Sequence, residues 1–488
     1  MLVGQTSVHR HEVTDLAVEL ALKSAGFRRS IPEKLLTSLA DLVRSMNCYY
    51  SNLIEGHYTH PIDIERALKG DYSKDTKKRD LQFEAKAHIA VQQWIDKGGL
   101  RGRRPTDISS ILEIHRRFCE LLPEDLLWVP DVVPGRKIKV VPGEPRRHDV
   151  RVGPHIPISA GAVPRFLRRF EEVYSRLGKS ETIIAAAATH HRFVWIHPFL
   201  DGNGRVVRLM SHATLLEALD TGAVWSIARG LARSVDAYKR HLSACDQTRR
   251  NDLDGRGNLS EENLIHFTKF FLGACLDQVA FMERLMQPDQ LRVRILLWAE
   301  EEIRLGKLPP QSGAILEALL YRGEISRADT PGILGTGDRQ ARRIIISLSD
   351  YGVIVSDSPR GPLHLAFPAA LASRWMPGLF PEKLATSSKP TEEEADFIQK
   401  LKASDFAVEW VSEDEVSPEF QPSGSGSVIS AERKRSFRIR RDLAGLLEVL
   451  ELSKLDSGSA KQIFYGLSPG GSWDWLAQKI IERDSEPD

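Results

Sequence analysis

The feature that most constrains this chain is a run of twelve residues, His197-Pro-Phe-Leu-Asp-Gly-Asn-Gly-Arg-Val-Val-Arg208. Apolar residues at helical spacing lead up to Ile196, and a proline at 198 cannot continue that helix. Gly202 and Gly204 lack a Cβ, so the backbone can turn tightly and approach a ligand. Helical spacing resumes at about Asn203. Two helices must therefore meet through one short turn. The second presents its unpaired N–H groups and the positive end of its dipole to that turn, which is an anion site.

The side chains in the run carry this further. Arg205 and Arg208 are three apart, share a helix face and reach the same phosphates. Asp201 is the carboxylate of the turn, and a carboxylate beside phosphates usually holds Mg²⁺ with water completing the shell. His197 stands at the edge, where an imidazole takes a proton from an incoming hydroxyl. Taken singly, each is ordinary: a structural helix-end histidine, a plain G-x-G turn, a solvated arginine face. Their concurrence in one short segment favours a phosphate site.

The segment resembles the signature of Fic-domain proteins, His-(Pro/Phe)-Phe-x-(Asp/Glu)-Gly-Asn-Gly-Arg-x-x-Arg, at every defined position. The similarity runs over roughly residues 30–285, including ATHHRFVWIHPF, Leu209–Leu219 and DAYKRHLSACDQTRR. The resemblance implies a protein adenylyltransferase that moves AMP from ATP to a Ser, Thr or Tyr hydroxyl of a protein target or of itself. It makes His197 the general base and Asp201 the Mg²⁺ ligand. Gly202, Asn203 and Gly204 become the anion hole, Arg205 the contact to the leaving pyrophosphate, Arg208 the holder of the γ-phosphate, and Phe199 a core anchor. Such catalysis is positioning plus charge neutralisation. A kinase relative departs from the Gly-Asn-Gly-Arg stretch and this chain does not, which favours AMP. UMP or phosphocholine transfer stays open.

A second segment, Ser51-Asn-Leu-Ile-Glu-Gly56, closes a helix that starts near Pro32. Ser51 and Glu55 share a face, and Gly56 ends the helix. By itself this is a capped helix end. Beside the first motif it resembles the family's inhibitory pattern, (Ser/Thr)-x-x-x-Glu-(Gly/Asn), in the subgroup that carries it N-terminal to the core. The resemblance implies that Glu55 pairs with Arg208 in the γ-phosphate's place. The same Glu could serve AMP removal, as in some relatives.

Residues 134–157 are rich in Pro and Gly, with β-prone runs at Ile138–Val141 and Val150–Val152. Two strands joined by a turn are expected. The stretch resembles the family's target-docking flap, with Val150, Arg151, Val152 and Gly153 as the strand that pairs with an extended target segment. A plain surface hairpin fits the composition equally well. His190 and His191 lack partners at metal spacing, so a core role is expected and zinc is not.

The whole chain reads as mainly α: an N-terminal helical region over 1–105, a Fic core over 106–290, a winged-helix-like domain over 291–380 and an α-rich region over 395–488, with an apolar helix pattern at 442–453 and no role assigned. Arg339, Arg342 and Arg343 on the winged helix's third helix would suit DNA phosphates. A DNA-binding regulator with a nucleotide-sensing Fic domain is therefore the alternative class. The net charge of +1 supplies no global field toward nucleic acid or membrane. No apolar run reads as a bilayer span. The N-terminus has no signal-peptide pattern, and four cysteines without C-x-x-C pairs point to a reduced cytoplasmic compartment. Relatives often dimerise, so the resemblance admits a homodimer.

Overall fold

A computed structural model describes residues 3–4, 7–131, 135–153, 155–380, 392–403, 407–411, 436–441, 447–452 and 460–467. The chain separates into two compact units, Met1–Ala370 and Leu371–Asp488. The fold is mainly α.

The first unit opens with α1 (Arg10–Ser30), α2 (Glu33–Ile54), α3 (Pro61–Leu68), α4 (Thr76–Asp96) and α5 (Ile108–Glu120). A short hairpin follows, β1 (Trp128–Pro130) against β2 (Lys137–Lys139), antiparallel with Val129 opposite Ile138. Then come α6 (Val163–Tyr174), α7 (Lys179–Ile196), α8 (Asn203–Leu219), α9 (Ile227–Arg233), α10 (Val235–Cys245), α11 (Glu261–Leu285) and α12 (Pro288–Arg304). The pattern at 226–248 breaks into α9 and α10 around Ser234, and the pattern at 260–305 breaks at Gln287, just before Pro288. Proline is tolerated there because a first-turn N–H has no helical partner anyway.

α7 and α8 form the centre. Each is buried nearly all round, from Ile183 to Phe193 and from Val206 to Leu215, as a core helix must be when it lacks a polar face. α11 packs against α1, α7, α9 and α10. It corrects one expectation: its 25 residues are long and apolar enough to cross a membrane by length and composition. Phe267, Phe271, Leu272, Cys275 and Val279 are nevertheless wholly buried inside this unit. The four cysteines are free thiols, all buried.

After α12 the order is α13 (Ser312–Arg322), β3 (Glu324–Ile325), α14 (Thr330–Leu334), α15 (Asp338–Asp350), β4 (Ile354–Val355) and β5 (Leu363–Leu365). The three strands make an antiparallel sheet in the order β3-β5-β4. β5 packs on α2, and Lys34 lies 3.5 Å from Glu324.

The second unit contains α16 (Ala372–Trp375), α17 (Glu392–Ala403) and four strands: β6 (Ala407–Val411), β7 (Ser436–Arg441), β8 (Leu447–Leu452) and β9 (Ala460–Leu467). β6 runs parallel to β7 and the others pair antiparallel in chain order. This overturns the expected α-rich tail. The apolar pattern at 442–453 is a strand from Leu447 to Leu452, and an apolar run this short fits either state until its pairing partners decide. The Gly/Ser stretch Pro422–Ser427 and most of the linker at 383–394 lie outside the described residues.

Candidate active site

The twelve-residue run folds as its punctuation requires. α7 ends at His197, which adopts the left-handed region at φ 51°. Gly202 takes φ 80° just ahead of α8, a conformation that a Cβ would strain. Asn203 then clamps the turn: its Oδ1 accepts from the Phe199 N–H at 3.0 Å, and its Nδ2 donates to the Phe199 carbonyl at 2.8 Å. The Asn203 side chain thus braces the loop, while the backbone of Gly202–Gly204 opens α8. Phe199 is fully buried and stacks on the His115 ring at 3.7 Å with the planes 2° apart. His115 Nδ1 accepts from the Gly143 N–H at 2.9 Å, and burial pushes its pKa down to about 4.

A further support was not foreseen. Arg146, with its side chain fully buried, donates from Nε to the His197 carbonyl at 2.8 Å, and its backbone N–H donates to Pro198 O at 2.8 Å. Its other nitrogens reach the carbonyls of His148, Ile158 and Ile196. A helix C-terminus leaves carbonyls unpaired, and this guanidinium satisfies those of Ile196 and His197 at the end of α7. Nothing in the local sequence, Glu144-Pro-Arg-Arg, singles out Arg146.

His197 itself is partly buried. Burial first, then the charges of Arg146 and His155, push its pKa down to about 4. Its imidazole is therefore neutral at physiological pH, the form that accepts a proton. Asp201 is exposed at the turn.

Both arginines of α8 are buried. Arg208 donates from Nε to Ser51 Oγ at 2.8 Å and from Nη2 to the Ser51 carbonyl at 3.0 Å and to Glu55 Oε1 at 2.5 Å. The contact of Glu55 with Arg208 that the resemblance implies is thus present in the geometry, and Ser51 adds two bonds to the same guanidinium. Burial opposes ionisation of Glu55. The charge and hydrogen bond of Arg208, with Arg205 and His57, outweigh it and hold the carboxyl below the usual carboxylate range. Gly56 follows at φ 82°. Gly204 makes room for this contact, since a Cβ there would lie 2.0 Å from Glu55 Oε1.

Arg205 points elsewhere. Its Nη2 donates to Glu84 Oε2 at 3.1 Å, and its guanidinium lies over the Phe118 ring at 5.2 Å. Glu84 on α4 also takes the His57 ring, Nδ1 to Oε2, at 2.7 Å. Glu84 and His57 were not foreseen, although His57 directly follows the Glu55-Gly56 pair.

The expected flap strand is corrected. Val150–Gly153 forms no strand; a lone bridge joins Val152 to His155, because Gly153 at φ 57° turns the chain back. Arg151 Nε donates to the Gly153 carbonyl at 3.1 Å, and Arg151, Val152 and Gly153 are exposed. The segment is latched by His155, whose ring meets Asp246 at 3.0 Å and the Trp195 carbonyl at 3.1 Å. The bond to Asp246 raises the His155 pKa. Asp246 also takes His191 at 2.9 Å, and His190 bonds Ser211 and Tyr238. Both histidines are thus satisfied core residues. No cluster of three or more His, Cys, Asp or Glu fit to hold a metal occurs among the described residues. Asp201 alone suits a cation that takes its other ligands from phosphate and water.

A profile of the Fic/DOC family matches residues 105–215. Among curated relatives, the protein adenylyltransferase Fic of Drosophila persimilis is 29% identical over 215 residues, 42% of this chain and 39% of that protein. The Drosophila melanogaster protein of the same name is 31% identical over 172 residues, 35% of this chain and 32% of its own length. The matches thus span well under half the length of these relatives. Among solved structures, a Fic family protein from Desulfovibrio desulfuricans aligns with a TM-score of 0.43 at 16% identity, over 75% of this chain and 98% of that one. A Fic domain containing signaling protein from Bacteroides thetaiotaomicron aligns at 0.42 and 19% identity, over 55% and 96%.

Proposed function

We propose, starting from the Fic domain at 105–215, that the chain is a protein adenylyltransferase held in check by its own α2. The observation that carries this reading is the pair of buried guanidiniums, Arg205 and Arg208, on the helix that opens at the Gly202 turn, with a neutral His197 at the turn's other end. Each is answered at rest by a carboxylate, Glu84 for Arg205 and Glu55 for Arg208, and two buried cations beside a helix N-terminus make a place where a further anion can bind. A triphosphate is such an anion.

In this reading the N–H groups from Gly202 to Gly204, together with Arg205 and Arg208, take the phosphates. Asp201 holds Mg²⁺, which neutralises phosphate charge when bound. His197 removes the proton from a target hydroxyl as its oxygen attacks the α-phosphorus. The new oxygen–phosphorus bond replaces the bond to pyrophosphate, and the target leaves carrying AMP. The exposed turn at Arg151–Gly153, latched through His155 to the Trp195 carbonyl, is the place for a target to lie. Glu55 occupies Arg208, so the guanidinium is unavailable to the γ-phosphate and the resting activity is low.

The test is mass spectrometry of the chain and of candidate targets after incubation with Mg-ATP. Glu55→Gly is expected to add an AMP mass about ten to a hundred times faster than wild type, the span of one charge-assisted bond. His197→Ala combined with Glu55→Gly should add none. Equal rates in Glu55→Gly and wild type would sink the brake. No AMP on any protein, with nucleotide bound, would sink the transferase.

One observation favours a second role. The α13–β5 arrangement has the element order of a winged helix, and Arg339, Arg342 and Arg343 are exposed on α15. Salt-sensitive DNA binding that is lost in Arg342→Ala with Arg343→Ala would support a regulator.

A further inference from the structure

We infer that Glu84 is a positioning residue that aims Arg205 at the phosphates of the bound nucleotide. This rests on the nucleotide reading above and assigns a role to a residue outside the twelve-residue run.

The Arg205 side chain is buried, only 6% exposed, and the Glu84 side chain is 12% exposed. Of its nitrogens, Nη2 is held by Glu84, while Nε and Nη1 are buried with no hydrogen-bond partner. Unpaired buried donors are costly, and two on one guanidinium, at a helix that opens an anion site, mark a place prepared for oxygen acceptors. Phe118 covers one face of the guanidinium and Glu84 fixes the Nη2 edge. The rotation of the planar group is thereby set, and Nε and Nη1, which point to different sides of the group, are left as two single donors for oxygen acceptors. Each of these donors points at a phosphate oxygen in a set direction only while the plane of the group is fixed.

Glu84 is itself fixed. His57 Nδ1 donates to the same Oε2 at 2.7 Å, so that nitrogen carries its hydrogen. The 3.1 Å contact between Arg205 Nη2 and His57 Nδ1 is then a close approach of two donors to one oxygen rather than a bond between them. Two donors converging on one carboxylate oxygen hold it from both sides. The remaining charged neighbours of Arg205 are Asp201 and Glu55, and the Cys48 thiol is also near. Neither carboxylate is hydrogen-bonded to Arg205, so among the described residues Glu84 is the carboxylate that sets its orientation, with Phe118 against one face.

The test is a double-mutant cycle on the full chain carrying Glu55→Gly: the parent, Glu84→Gln, Arg205→Gln and both together. Mg-ATP affinity is measured by titration calorimetry, and folding by thermal melting. Glu84→Gln is expected to weaken Mg-ATP binding about tenfold, the order of one charge-assisted contact. It should add nothing in the Arg205→Gln background, because Glu84 acts through Arg205. A purely structural role would shift melting alike in both backgrounds and leave the affinity of the folded fraction unchanged. Glu84→Asp, which keeps the charge, should recover part of the affinity and guards against a folding defect in the first variant. If the parent binds Mg-ATP and Glu84→Gln matches it, or if Glu84→Gln weakens binding equally without Arg205, the inference is overturned while the nucleotide reading stands. A parent that binds no Mg-ATP overturns both.

Discussion

A histidine that burial keeps neutral down to about pH 4 behaves differently from a free one. Its basic form is already complete at neutral pH, so a reaction using His197 as base should show a flat rate from about pH 6 to 8 and lose rate only as pH falls toward 4. The pH–rate profile of Glu55→Gly measures this directly, and a limb rising through the ordinary histidine range would exclude His197 as the titrating base. Arg146 makes the second argument at this scale. Replacing it by Ala leaves the carbonyls of His148, Ile158, Ile196 and His197 short of a donor, which should destabilise the unit by roughly 2–4 kcal/mol and lower AMP transfer. Thermal melting and the rate check both. The sequence displayed His197, Asp201, Arg205, Arg208 and Glu55 because the motif spacing is local. Arg146, Glu84 and His115 were hidden because their value lies in contacts 50, 121 and 84 positions away along the chain, which no local pattern registers.

The expected helix ends near the site were close to those found, since Pro198, Gly202 and Gly56 act on their own neighbours. Short apolar runs were less legible. Val150–Val152 reads as a strand by composition but has no partner strand, and 442–453 reads as a helix but finds one. The 150–158 segment instead depends on the His155 latch. Its pKa is raised by Asp246, so the latch contributes stability fully below the ordinary histidine range and loses it as pH climbs past the raised value. Hydrogen exchange across 150–158, corrected for intrinsic rates, should therefore quicken above that range, and Asp246→Asn should quicken it most below that range, where the charged pair is complete. An exchange rate indifferent to both changes would show that His155 does not hold the segment.

The division at Ala370 makes a prediction for the whole chain. A chain ending at residue 370 contains α2 and the whole stretch that matches the Fic/DOC family, so on the proposed function it should fold, melt cooperatively and transfer AMP at the rate of the full-length Glu55→Gly protein when it carries the same change. A soluble but inactive product would place part of the catalytic apparatus beyond that point. Within the first unit, α2 has a property that its residues do not display one by one. Its early turns lie against β5 and beside Glu324, and its last turn delivers Ser51 and, just past its end, Glu55 to Arg208. Twenty-two residues of α-helix span about 33 Å, and a packed helix moves as a rod rather than bending residue by residue. A shove on the three-stranded sheet would therefore arrive at the guanidinium as a change of fit, much as a door handle moves its bolt. The same rod denies the two ends separate evolutionary careers: a substitution that reseats the helix on the sheet also resets the grip on Arg208.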